Sequence, residues 1–299
     1  MVFRVLIFSI LLSILLKAIS GKSSRPRRLV AQYTFSAVLV LGISVWNGFD
    51  AFRMLFLVIA LIGSANGFAA YCTWRAMAVS QSRSAAFSQA ASVLTLPMGW
   101  LFLGEAQYLE TPLVLAGCSL FLLSWAGLLF PAIRERFAKK IESPTRKRTG
   151  FIWWVLGYTV IWAVTIFSMR AYSLKEGISS HTYMLYYYCG ALAGTLVVYA
   201  LSSKEERGPR LTRQAIAYMG LVAALTWTAR VLTYMVFEKA PLTVAQPVFQ
   251  IADFIGPMLV GLFFFGEVRH LRRIEWIALV LGIIAAALLI VGMQQSLNS

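Results

Sequence analysis

Residues 237–267 read FEKAPLTVAQPVFQIADFIGPMLVGLFFFGE, and residues 75–105 read RAMAVSQSRSAAFSQAASVLTLPMGWLFLGE. Laid on their Gly-Glu ends without a gap, Ala78 falls on Ala240, Phe87 on Phe249, Ala90 on Ala252, Gly99 on Gly261 and Phe102 on Phe264. Each Gly-Glu is followed by an apolar segment with paired glycines, Gly117 and Gly127 in one, Gly282 and Gly292 in the other. A single short insertion after the second Gly-Glu brings those glycines into step. The chain carries an internal duplication, and its fold has to contain two related halves.

Composition says where those halves sit. Of 299 residues 59% are hydrophobic, and the mean hydropathy is +0.73. A water-soluble chain this apolar could not cover its surface with polar groups, which implies an integral membrane protein, all-α if its apolar runs are of helix-spanning length. The 13% of charged residues gather between the apolar runs. A net charge of +15 could suit nucleic acid, but the basic residues occupy short loops between spans. Orientation and contact with anionic lipid explain them, and no nucleic-acid partner is expected. Cys72, Cys118 and Cys189 lie in apolar segments without CxxC or Cys/His spacing, so neither a disulfide framework nor a metal site is indicated.

A spanning helix needs about 20 mostly apolar residues. Ten segments qualify, at residues 2–20, 29–49, 53–78, 84–103, 111–130, 151–172, 180–201, 214–237, 243–265 and 274–292. Thr111-Pro112 reads as an N-cap followed by proline at the first helical position. Pro241 separates the eighth segment from the ninth. The strongly polar stretch 134–150, RERFAKKIESPTRKRTG, divides the chain into five helices plus five. The expected organisation is a first repeat at 1–130, a basic linker at 131–150 and a second repeat at 151–299. The first segment, with Val5–Leu16 and Ala18-Ile19-Ser20, could pass for a signal peptide. Five basic residues follow it and only Arg4 precedes it, which favours a retained helix.

Charge sets the orientation. Loops after odd-numbered segments carry 20 of the 27 lysines and arginines, against four on the opposite side. The positive-inside rule then places the linker in the cytoplasm and both termini outside it, in a multi-pass protein of the cell (inner) membrane. Because five is odd, the second half runs inverted relative to the first, about an axis in the membrane plane.

The paired stretches ending LFLGE and FFFGE, the second opening APLTVAQP and each leading into a glycine-spaced helix, resemble the EamA repeats of the drug/metabolite transporter superfamily. The resemblance covers nearly the whole chain. It implies a ten-helix secondary transporter of small organic metabolites or drugs, without ATP hydrolysis, with export the expected direction. It does not identify the cargo. Typical members are expected to keep their termini in the cytoplasm, and here the charge count says the reverse.

Within the ninth segment Gln246, Gln250, Asp253 and Pro257 share one helical face. Under the repeat alignment Gln246 lies over Ser84 and Gln250 over Ser88, so the fourth segment offers Ser84, Ser88, Ser92 and Thr95 on the matching face. Serines alone would suit close helix packing. Two glutamines with a mid-span aspartate favour a central cavity between segments 3/4 and 8/9. An unpaired charge at the depth of Asp253 costs roughly 2.5–3.5 kcal/mol, and Arg230, flanked on its face by Trp227 and Tyr234, is the expected partner. Asp253 either binds a substrate amine or coupling proton, or forms a static ion pair.

Arg75 and Arg170, near helix ends, are expected to snorkel. Glu105 and Glu267 are expected to hold the turn into the next helix. Pro97, Pro247 and Pro257 should kink their helices. Tyr183, Tyr186, Tyr187 and Tyr188 with His181 suit an interfacial aromatic belt, with Tyr187 placed to face a cavity and stack on a planar substrate.

No GxxxxGK[ST], HExxH or GxSxG is present, and no cofactor is implied. A membrane enzyme acting on lipid-linked substrates would need paired carboxylates or His/Asp groups near one interface. A membrane scaffold would not need Asp253 or Gln250 in mid-span. Oligomeric state is not legible.

Overall fold

The structure, a computed structural model, describes residues 11–12, 14–15, 24–79, 84, 90–105, 111–138, 149–239, 241–242, 246, 249, 260 and 273–298. Among these it is helical without strands. The helices are α1 (Arg25–Asn47), α2 (Leu55–Val79), α3 (Ala90–Leu103), α4 (Pro112–Ala138), α5 (Thr149–Lys175), α6 (Ser180–Leu201), the single turn α7 (Lys204–Arg207), α8 (Arg213–Lys239) and α9 (Arg273–Asn298). Arg25–Asn47, Leu55–Val79, Trp153–Lys175, Ser180–Leu201 and Arg213–Glu238 are long and apolar enough to cross a membrane. Shorter apolar stretches are Leu94–Leu103, Pro112–Ser124 and Trp276–Leu289. Outward-facing side chains include Trp46 at 90% exposure and Leu201 at 83%, with Val38, Leu61, Leu101 and Ile277 also exposed. So much exposed apolar surface suits lipid better than water.

Local chemistry sets the helix limits. Pro112 opens α4, where the Thr111 carbonyl accepts from the backbone N–H of Val114 (2.9 Å) and Leu115 (3.2 Å). Ser179 caps α6 by accepting from the Thr182 N–H at 3.4 Å. Asp50, in the α1–α2 connection, accepts from the hydroxyls of Thr182 (2.5 Å) and Ser179 (3.3 Å). A carboxylate there suits the positive end of the α6 dipole. Gly104 ends α3 with a φ of 70°, in the left-handed region that favours glycine. The turn carries Glu105 into the protein, where it is buried. One limit differs from expectation. α4 continues through Ala138, past the expected end at 130 and into the basic stretch, whose Arg134, Glu135 and Arg136 are tolerable helix formers.

The most extensive contact joins α2 to α6, through two GxxxG spacings that the sequence displays. A Cβ at Gly63 would fall on the Tyr187 carbonyl oxygen, and one at Gly190 on that of Ala60. Gly67 and Gly194 are equally confined, against Ala191 and Ser64. Only glycine permits backbones this close. Nearly as extensive is the α4–α9 contact, where the expected glycines do similar work. Gly117 meets Leu289, Gly127 meets Ala278, and Gly292 meets Leu113 and Val114. α1 packs on α6 and α8, and α5 on α2 and α3. The main apolar core lies among α1, α2, α5, α6 and α8, and Leu12 and Leu15 pack against it. A smaller cluster of Leu96, Val114 and Leu289 ties α3 to α4 and α9.

Candidate binding site

Halfway along α5, Trp162 lies beneath the guanidinium of Arg230 from α8, 3.5 Å from ring centroid to Cζ. Stacking on an indole is a favourable setting for a delocalised cation, and Arg230 is partly buried there. The described ion pairs are Arg75–Glu206 and Arg170–Glu105, and Arg230 belongs to neither. Tyr158, one turn earlier on α5, stacks with Trp162 at 6.4 Å and 7°.

A run of buried tyrosines stands beside this cation. Tyr33 of α1 and Tyr188 of α6 have ring centroids 6.2 Å apart. Tyr188 meets Tyr187 edge-on at 5.3 Å, Tyr187 stacks with Tyr183 at 5.9 Å, and Tyr183 lies 4.9 Å from Tyr234 of α8. Arg230 acts electrostatically on the phenols of Tyr33, Tyr183, Tyr187 and Tyr188. Three of the tyrosine hydroxyls have clear partners. Asn66 Nδ2 donates to Tyr33 at 3.2 Å, Ser168 and Tyr183 share a bond of 2.6 Å, and Tyr234 donates to the Ile178 carbonyl at 2.7 Å. The hydroxyls of Tyr187 and Tyr188 and the indole N–H of Trp227 are buried with no hydrogen-bond partner among the described residues. On α1, Gln32 Oε1 and the hydroxyls of Ser36 and Ser44 are in the same condition.

This arrangement corrects the expected aromatic belt. Tyr183, Tyr187 and Tyr188 are fully buried, not interfacial. Three consecutive tyrosine positions on a helix face different directions, so a helix enclosed on several sides, as α6 is by α1 and α2, buries two of them. Tyr186 turns the other way and stacks on Phe56 at 4.5 Å.

At one end of the bundle the buried Arg170 donates through Nε to Glu105 Oε1 (3.3 Å) and through Nη1 to the Phe237 carbonyl (2.5 Å). Glu105 Oε1 also accepts the Leu242 N–H at 3.1 Å. One ion pair thus ties the ends of α3, α5 and α8 to the chain beyond Pro241. Lys175 reinforces it, donating to the Phe102 carbonyl at 3.0 Å. At the other end Arg75 of α2 pairs with Glu206 of α7. Its Nη2 and Nε also donate to the Tyr71 hydroxyl at 2.6 and 3.0 Å, and it lies over the rings of Tyr71 and Trp154. Neither arginine snorkels freely, because each finds a carboxylate on a different helix. Trp154 and Arg170 are separated along α5 by roughly 24 Å, at about 1.5 Å per residue.

Of the residues singled out from sequence, Arg230, Trp227, Tyr234 and Tyr187 share the central region, Trp227 packing against the main core one turn before Arg230. Ser84 and Gln246 are buried. Ser92 lies on α3. Ser88, Gln250, Asp253, Pro247 and Pro257 lie outside the described residues, and Pro97 lies within α3. Trp162, Tyr158 and Tyr33 were not anticipated, and Tyr188 only as part of the aromatic belt. The spacing of Gln32, Ser36 and Ser44 on α1, four residues and then eight, is a sequence signal for a polar face there.

No family model and no curated protein matches the chain. Sixteen chains of solved structures do match in fold. One, described only as "Crystal structure of protein", is similar over 100% of this chain and 99% of its own, with a TM-score of 0.63 and 14% identity. That likeness concerns the fold alone.

Proposed function

We propose that the chain is a ten-span secondary transporter of small organic metabolites or drugs, exporting them by alternating access between two inverted five-helix repeats of the EamA kind. The halves are residues 1–130 and 151–299, joined by a cytoplasmic basic linker, with both termini on the far side of the inner membrane. The observation that carries the reading is Arg230 stacked on Trp162 in mid-span. A cation at that depth is expensive unless it has a task.

Two further observations support it. Helix packing is reciprocal: α2 contacts α6 while α8 contacts α1, as expected if α1 and α2 are the repeat counterparts of α6 and α8. Gly127 meets Ala278, and their aligned counterparts, Gly292 and Leu113, also meet. A charged knot at each end of the bundle also supports the reading, since alternating access needs a closure on each side of a central site. Asp253 is the proposed coupling group, or else the counter-charge of Arg230.

Flux from liposomes loaded with a metabolite mixture, with and without a proton gradient, tests the activity. Selective, saturable loss of some compounds is expected. Equal retention of every compound under both conditions contradicts the proposal. For orientation, a cysteine placed at Ser299 should react with an impermeant maleimide on intact cells, and labelling only after permeabilisation would reverse the topology.

A further inference from the structure

The central site carries donors and no described acid. In the same packed core, the Tyr187 and Tyr188 hydroxyls, which feel the charge of Arg230, and the N–H of Trp227, one turn before Arg230 on α8, are buried with no hydrogen-bond partner among the described residues. Each group left so in an apolar interior is costly, and native proteins rarely tolerate several together. Hydroxyls can also accept, but an indole N–H and a guanidinium can only donate. A ligand that satisfies the set must therefore be rich in acceptors and negative. One guanidinium compensates one negative charge, which leaves Asp253 the coupling role and not that of counter-charge to Arg230. A phosphate dianion would leave an excess charge in a medium of low dielectric, whereas a carboxylate would not. A carboxylate also matches the planar fork of arginine, and its remaining lone pairs can take the phenol hydroxyls.

We infer that the site between α5, α6 and α8 binds a small organic carboxylate, with Arg230 on the carboxylate and Tyr187 and Tyr188 as supporting donors. This rests on the transporter reading for its purpose but not for its test. Binding is measured on the full-length protein in detergent, by tryptophan fluorescence and thermal shift. The probes are acetate, benzoate and indole-3-acetate, beside benzamide, benzylamine and phenyl phosphate.

Benzoate or indole-3-acetate should bind about tenfold or more tightly than benzamide, the scale of a charge-assisted pair against a neutral one, and benzylamine should not bind. Arg230→Gln should erase the preference and Arg230→Lys keep part of it. Tyr188→Phe provides the sharper sign: it should raise thermal stability, by removing an unsatisfied hydroxyl, and weaken carboxylate binding at the same time. Preference for benzylamine, for phenyl phosphate, or for none of the probes would overturn the inference, as would a Tyr188→Phe protein that loses stability and keeps its affinity. Flux is read separately. Carboxylate binding without flux sinks the transport reading alone, and flux of other compounds without carboxylate binding sinks this one alone.

Discussion

The two ends of the bundle are held by the same chemistry in opposite surroundings. Arg170 and Glu105 have side chains 9% and 6% exposed, whereas Arg75 and Glu206 are 29% and 38% exposed. In water an ion pair is screened and its partners can part at little cost. In a dry interior neither partner can leave without stranding the other. The Arg170 end is therefore the more firmly held one, and the Arg75 end the more easily parted. If the central site alternates between the two sides, the end more firmly held in this structure is the α5 C-terminal end, which the charge count puts outside the cytoplasm.

The contrast makes graded predictions. Replacing one partner of the buried pair, by Arg170→Met or Glu105→Gln, should lower stability by about 3–5 kcal/mol. Thermal unfolding in detergent reads the loss, and the double substitution should recover most of it. Between the ends, Gly190→Ala would push a methyl group into the Ala60 carbonyl and wedge α2 from α6. A loss of about 1–3 kcal/mol is expected, and slower transport with it on the proposed function. At the exposed end, Glu206→Gln should cost under about 1 kcal/mol and become indistinguishable from wild type in high salt. If Glu206→Gln proves as damaging as Arg170→Met, the asymmetry drawn here is wrong.

Much of this was readable in the residues because it depends on local rules. Thr111-Pro112 and Pro241 mark helix ends through backbone geometry alone, and the described helices follow the apolar runs. Arg230 stood out because a charge inside such a run is rare. Its bed on Trp162 was not legible, since the two residues come from different helices and no sequence spacing joins them. Arg170 was misjudged for the same reason: two residues of chain to the expected segment end at 172 suggest escape to water, but Glu105 arrives there from α3 and holds it. The GxxxG pairs at Gly63–Gly67 and Gly190–Gly194 stand in the sequence but were not read from it, and they explain the tightest contact. The tyrosines of α6 looked interfacial because they sit near a helix start, and only the packing of α1 and α2 around them makes them interior.

The central claim is that the two ends open in alternation around one site, and tying the Arg170 end shut tests it. Phe102→Cys and Lys175→Cys, in a chain whose Cys72, Cys118 and Cys189 are replaced by alanine, can be bridged by a short cleavable bis-maleimide. Uptake of the best-binding carboxylate into proteoliposomes is then followed before bridging, after it and after cleavage. The account predicts that bridging abolishes flux while leaving carboxylate binding from the other side intact, and that cleavage restores flux. Undiminished flux through the bridged protein would contradict it.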